Sequence, residues 1–155
     1  MAAEITQQAN DRRQLLPMLE QVAANMGRKP DVVSADAGYW SEANATNETV
    51  AGIDLHIATG RMKHGQAVAT ASGPPPDQAT PKQIMQHKLR TESGQAIYRR
   101  RKVIVEPVFK QIKEQRGFRR FSLRGLEKVR AEWKLVCATA NLLKLFRYGW
   151  TPQEA

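Results

Sequence analysis

Two short apolar runs with a helical segment between them constrain this chain most. Asp31-Val32-Val33-Ser34-Ala35-Asp36 reads as a buried strand that ends in a carboxylate. Ile53-Asp54-Leu55-His56-Ile57 alternates strictly and reads as a half-exposed strand. Between them Ser41 is placed to cap a weaker helix running to about Val50. Ahead of both, Asn10 or Asp11 caps a helix whose face is Leu15, Leu19, Val22 and Met26. Pro17 either kinks that helix or marks its true start, and Gly27 is its stop. Ala2 to Thr6 reads like the end of a further strand. Strands separated by helices join most readily in parallel, so the class is α/β.

From Gly60 to about Lys82 the pattern disappears. Gly65, Gly73 and Pro74-Pro75-Pro76 mark an exposed, flexible insertion. Beyond it the chain is helical and basic. Lys82 to Lys113 predicts one or two helices, with Gly117 ending the last. Ser122 then caps a long helix with Leu126, Val129, Trp133, Val136, Ala140 and Leu143 along one stripe, and Cys137 beside it as a packed thiol.

The charge balance narrows the partners. Lys plus Arg number 24 against 15 Asp plus Glu, a net charge of +9. Such a chain favours polyanions, because each cation on a phosphate backbone releases a condensed counterion. A soluble basic protein with no polyanion partner has the same composition. The single cysteine excludes a disulfide framework and suits a reducing cytoplasm. No apolar run has the length for a membrane span, and residues 1–6 do not read as a signal peptide.

Two carboxylates stand out. Asp36 at the C-terminal end of a buried strand points into the crevice where open α/β sheets bind ligands, and Gly38 lets the backbone turn there. The plainer alternative is an Asp that caps the next segment or simply ends the strand. Glu106 lies in a row with Arg99, Lys102, Lys110 and Lys113, spaced three or four apart and so on one helical face. One carboxylate among cations suits a site that holds Mg²⁺ and grips phosphate; a solvated charged face has the same pattern. Pro107 argues against an undistorted helix there.

The stretch Tyr98 to Leu145 contains Val-Glu-Pro-Val-Phe, Gln-Ile-Lys-Glu, Arg-Gly-Phe-Arg-Arg-Phe and Ala-Asn-Leu-Leu-Lys-Leu. It resembles the C-terminal end of DDE transposases of bacterial insertion sequences. Ser34-Ala35-Asp36-Ala37-Gly38-Tyr39-Trp40 resembles the segment with their second catalytic aspartate. The resemblance implies an incomplete ribonuclease-H-like fold: a short mixed sheet packed by helices, with a long C-terminal helix, as one truncated catalytic domain over residues 1–155. It implies Asp36 and Glu106 as catalytic and metal-binding residues, with Mg²⁺ (or Mn²⁺) as cofactor. It further implies contacts to DNA, both transposon ends and target, through Arg99, Arg101, Lys102, Lys110, Lys113, Arg116, Arg119 and Arg120. A nucleoid-associated cytoplasmic location follows, with a homo-oligomer or a missing N-terminal part as partner.

The family often shows a Tyr–Arg–Glu–Lys signature, with Tyr seven and Arg four residues before the Glu and Lys seven after. Lys113 fits that spacing, Lys102 and Arg99 occupy the Arg and Tyr positions, and Tyr98 and Arg101 each fall one residue early. The first aspartate of the family would precede Ala2, and Glu4, Asp31 and Asp54 are poor substitutes. The isolated chain is therefore expected neither to cleave nor to join DNA. A non-catalytic basic nucleic-acid-binding protein is the competing expectation. His56, His64 and His87 are too scattered for a zinc site.

Overall fold

The computed structural model describes residues 5–8, 10–60 and 69–149. They form two compact units, one from Gln8 to Val103 and one from Ile104 onward together with Ile5–Gln7.

In the first unit, a 3₁₀ turn (Arg12–Gln14) leads into helix α1, Leu15–Met26. Pro17 falls in the first turn of α1, where its missing N–H has no helical acceptor to lose. Gly27 ends the helix with φ +70°, a left-handed conformation that glycine adopts without strain. Strand β1 is Val32–Ala35 and strand β2 is Asp54–Ile57, paired in parallel with Ser34 opposite His56 and Ala35 opposite Ile57. The mixed sheet expected from the sequence is, among the described residues, this parallel pair. Ala2–Glu4 of the anticipated further strand lie outside the described residues, and Ile5–Gln8 are irregular.

The helix anticipated between Ser41 and Val50 is shorter. Ser41 does cap it, accepting from the Asn44 N–H at 3.1 Å, but α2 spans only Glu42–Ala45. Asn47 then accepts from the Thr49 N–H and starts a separate 3₁₀ turn, Glu48–Val50. Short polar side chains compete with the helix for backbone donors, and here they win.

The core of this unit gathers Leu15 and Leu19 of α1, Ala35 of β1, Val50, Ile53, Leu55 and Ile57 of β2, and Met85 of the next helix. Burying each large aliphatic side chain contributes about 1.5–3 kcal/mol. His56 departs from the half-exposed strand expected at β2: its side chain is only 2% exposed. Its Nε2 lies 2.9 Å from Asp54 Oδ2, and Asp54 pairs in turn with Lys88. That chain of contacts carries the polar ring into the interior.

Helix α3, Pro81–Arg90, opens with a complete capping box. The Thr80 hydroxyl accepts from the Gln83 N–H, and the Gln83 side chain accepts from the Thr80 N–H at 2.8 Å. Thr91 separates it from α4, Glu92–Ile104, by donating its hydroxyl to Lys88 O and accepting from the Gly94 N–H. Gly94 is buried in this corner, where any Cβ would collide with the Lys88 carbonyl.

The second unit holds α5 (Glu106–Lys110), which continues into a π-helical turn, Gln111–Gln115, and α6 (Leu126–Arg147). The stretch Lys82–Lys113, expected as one or two helices, thus falls into three helices and the start of the π-turn. Gly117 follows with φ +65°. Ser122 does not cap α6. Its N–H and that of Leu123 donate to the Glu132 carboxylate, and α6 begins after Gly125. The anticipated stripe of α6 is the inward one, with Ala140 buried and Leu126, Val129, Trp133, Val136 and Leu143 half-buried. Trp133 stacks on Phe109 and meets Phe118 and Phe121.

Gly94→Ala is expected to lower the melting temperature sharply, by an overpacking cost of about 1–3 kcal/mol. Gly60→Ala, with nothing within 4 Å of the new methyl group, serves as the mild control. A second expectation concerns acid. The Lys88 hydrogen bond, foremost, holds the Asp54 carboxyl below its ordinary value of 3.8 against an opposing contribution from burial, with His56 adding to the lowering. A depressed carboxyl stabilises the fold above its ordinary value, and this is lost as pH falls through the folded value. Thermal melts should show Asp54→Asn less stable than the natural chain at pH 7, with the gap closing below about pH 4.

Candidate functional site

Asp36 is the first residue after β1. Its backbone is still extended (φ −81°, ψ 179°), and its side chain caps a 3₁₀ turn, Ala37–Tyr39. Oδ1 accepts from the Gly38 N–H at 2.9 Å, which fixes the carboxylate's rotation and leaves Oδ2 for other partners. A methyl group on Gly38 would lie 3.1 Å from Asp36 Oδ1 and 3.5 Å from Asp11 Oδ2. Two carboxylates therefore close over the same glycine. Asp11 spends no side-chain hydrogen bond on capping the turn it precedes. Its approach to Asp36 bridges 25 residues of sequence and was invisible in the sequence, where Asp11 looked only like a helix cap.

Helix α4 brings Tyr98 and Arg101 to the same place. The Arg101 guanidinium carbon sits 5.3 Å from the centre of the Tyr98 ring, and Nη1 lies 4.0 Å from Asp36 Oδ2. Tyr98 and Arg101 are one helical turn apart, so they share a face. Their one-residue offset from the family spacing coincides with the break between α4 and α5 at Val105. Arg99 and Lys102, which match the spacing arithmetically, are exposed on α4, and Arg99 donates to Gln95 of its own helix.

The electrostatics agree with this geometry. Burial, foremost, raises the Tyr98 phenol above its ordinary value of 10.0; Arg101 pulls it down and Asp36 pushes it up. Burial also raises Tyr39, and both Asp11 and Asp36 add to the shift.

Glu106 opens α5 in the second unit, with Pro107 in the first turn, where proline costs no hydrogen bond. The kink suspected at Pro107 is a helix start. Glu106 is exposed and has no hydrogen-bond or ion-pair partner among the described residues. The single basic face expected across α4 and α5 is interrupted at Val105 and again by the π-turn. Lys110 and Arg120 are exposed, Lys113 lies 5.7 Å over the Phe109 ring, and Arg119 pairs with Glu114 at 2.7 Å. Arg116 is differently employed. Its guanidinium donates to Thr139 Oγ1 at 2.7 Å and Thr139 O at 3.0 Å, tying the π-turn to α6.

Residues 61–146, more than half of the 155-residue chain, match the family described as the transposase DDE domain. The chain belongs to that family. The matched span of this transposase domain includes α4, α5 and nearly all of α6, hence Tyr98, Arg101 and Glu106; Asp36 lies upstream of it. No curated protein and no solved structure matched the chain. Transposase DDE domains generally use a divalent metal and act on DNA. No helix among the described residues is long and apolar enough to cross a membrane.

The donor chemistry around Asp36 fits a hard divalent cation. Asp36 and Asp11 bring carboxylate oxygens close to Gly38, and Mg²⁺ takes oxygen ligands with several waters retained. Among the described residues no group of three or more His, Cys, Asp or Glu comes together, so protein ligands at Asp36 are few.

Titrating phenol absorbance, with Tyr98→Phe subtracted to isolate Tyr98, tests this cluster. Arg101→Met should raise the Tyr98 value further, and Asp36→Asn should lower it. Unchanged titration in both variants would remove the cluster.

Proposed function

We propose that this transposase domain binds DNA and that Asp36 and Glu106 are carboxylates that hold Mg²⁺, the metal with which the full-length family cleaves and transfers DNA strands at transposon ends. The observation that carries the reading is the setting of Asp36. A parallel strand delivers it to the sheet's C-terminal edge, the Gly38 N–H fixes one oxygen, and the other faces Arg101. Carboxylates at strand ends of open α/β sheets are where such folds bind their ligands.

When bound, the metal would supply Lewis-acid stabilisation to the oxygens of an in-line phosphodiester attack. The chain's own residues position the reactants. Asp36 is held in one rotamer by Gly38, so little ordering remains to be done when a ligand arrives. Arg101 brings a fixed positive charge beside it, and its planar fork suits phosphate oxygens. Lys102 on α4 and Lys110 and Arg120 in the second unit are exposed cations for the DNA backbone. Arg116 contributes to that surface chiefly by holding the π-turn on α6. Such contacts orient the duplex without reading its sequence. Work on chromosomal DNA would place the protein with the nucleoid.

Mn²⁺ titration followed by electron paramagnetic resonance tests the metal assignment. Asp36→Ala and Glu106→Ala are each expected to weaken binding by about tenfold or more, since each removes a charged ligand. Affinity for a short duplex should fall by about a decade or more between 50 and 200 mM salt. Duplex binding that keeps this salt dependence while both variants bind Mn²⁺ like the natural chain would instead indicate a non-catalytic basic nucleic-acid-binding protein.

A further inference from the structure

Arg101 is close to Asp36 without being locked to it. The 4.0 Å between Nη1 and Oδ2 exceeds a hydrogen bond. The side chain is only 30% exposed, against 53% for Asp36. Its Nε is enclosed and has no hydrogen-bond partner among the described residues. A guanidinium carries five donors, and leaving one buried and unsatisfied is unfavourable. The centre of the Tyr98 ring lies 5.3 Å from the guanidinium carbon and attracts it through the ring face. The result is a cation stationed at Asp36 with donors to spare.

Building on the reading of Asp36 as a metal ligand, we infer that Arg101 is a displaceable counter-ion. A divalent cation and the guanidinium compete for the Asp36 carboxylate. Two positive groups at one carboxylate repel each other, and at such separations the repulsion is substantial wherever water is partly excluded. The arriving cation therefore turns Arg101 away from Asp36, and the freed donors take a phosphate oxygen of the DNA. A phosphate set between the cation and the guanidinium relieves the repulsion. Metal and phosphate binding thus favour each other, and by linkage each strengthens the other by the same factor. In this scheme Arg101 balances the charge of Asp36 before metal arrives, and afterwards its donors hold the substrate phosphate.

The test uses the full chain with Mn²⁺ alone, then a short duplex with and without Ca²⁺. Arg101→Met and the polar variant Arg101→Gln should bind Mn²⁺ about three- to tenfold more tightly than the natural chain, the range expected for removing one partly screened charge. Arg101→Lys, which keeps the charge, should return the affinity towards the natural value. Ca²⁺ should tighten duplex binding by the natural chain, and that gain should vanish in Arg101→Met and Arg101→Gln. A merely structural Arg101 would give equal or weaker Mn²⁺ binding in both neutral variants, and this overturns the inference. Asp36→Asn separates the two levels of the argument. If it loses Mn²⁺ while the Arg101 variants bind no tighter, the metal reading stands and the counter-ion falls. If it binds Mn²⁺ unchanged, both fall.

Discussion

The parallel pairing of β1 with β2 is the constraint from which the rest of the first unit follows. Two strands alone are marginal in water, so this pair survives only because helices cover it. Leu15 and Leu19 from α1 and Met85 from α3 supply that cover, around Ala35, Leu55 and the fully buried Ile57. With Ala35 packed and in register with Ile57, the next residue has little freedom in where it emerges. That residue is Asp36. Its carboxylate is thus aimed by the core behind it and then trimmed by one hydrogen bond from Gly38. The position of that carboxylate depends on apolar residues of the core.

Much of this was legible in the sequence because local chemistry and tertiary packing agree. Gly27 ends α1 as its left-handed φ requires, Pro17 falls where proline is tolerated, and the α6 stripe from Leu126 to Leu143 faces inward. Asp36 at a strand end and the α/β class with a parallel component were readable for the same reason. Other features depend on contacts that periodicity does not encode. Alternation in β2 placed His56 toward solvent, but its Nε2 pairs with Asp54, itself held by Lys88 from α3, while Nδ1 is buried with no hydrogen-bond partner among the described residues. Ser122 has the side chain of a cap, yet its backbone is claimed by Glu132 ten residues on. Asn47 ends the helix that Ser41 starts by offering the backbone a competing partner.

The candidate site shows the same division. Asp36 announced itself through its strand, and Glu106 through its cationic surroundings and the family motif. Asp11 did not, since nothing local distinguishes a carboxylate that caps a turn from one that leans over a glycine 27 residues later. Tyr98 and Arg101 were obscured by counting along an unbroken helix. Arg101 nevertheless lies beside Asp36, carried there by α4 ahead of the interruption at Val105. Arg116 shows the converse: basic, inside the family motif, and engaged with Thr139. In the second unit a cluster of Phe109, Phe118, Phe121 and Trp133 supports the loop between the π-turn and α6, so its cations project from a packed base.

The central claim is that Asp36, set at the end of β1, is a ligand of a divalent ion. Metal-directed cleavage measures this without requiring turnover. Fe²⁺ loaded in place of Mg²⁺ generates hydroxyl radicals with ascorbate and peroxide, and these cut backbone only close to the bound ion. The account predicts cuts near residue 36 that Asp36→Ala abolishes. No cuts near residue 36, or cuts there that survive Asp36→Ala, would contradict it.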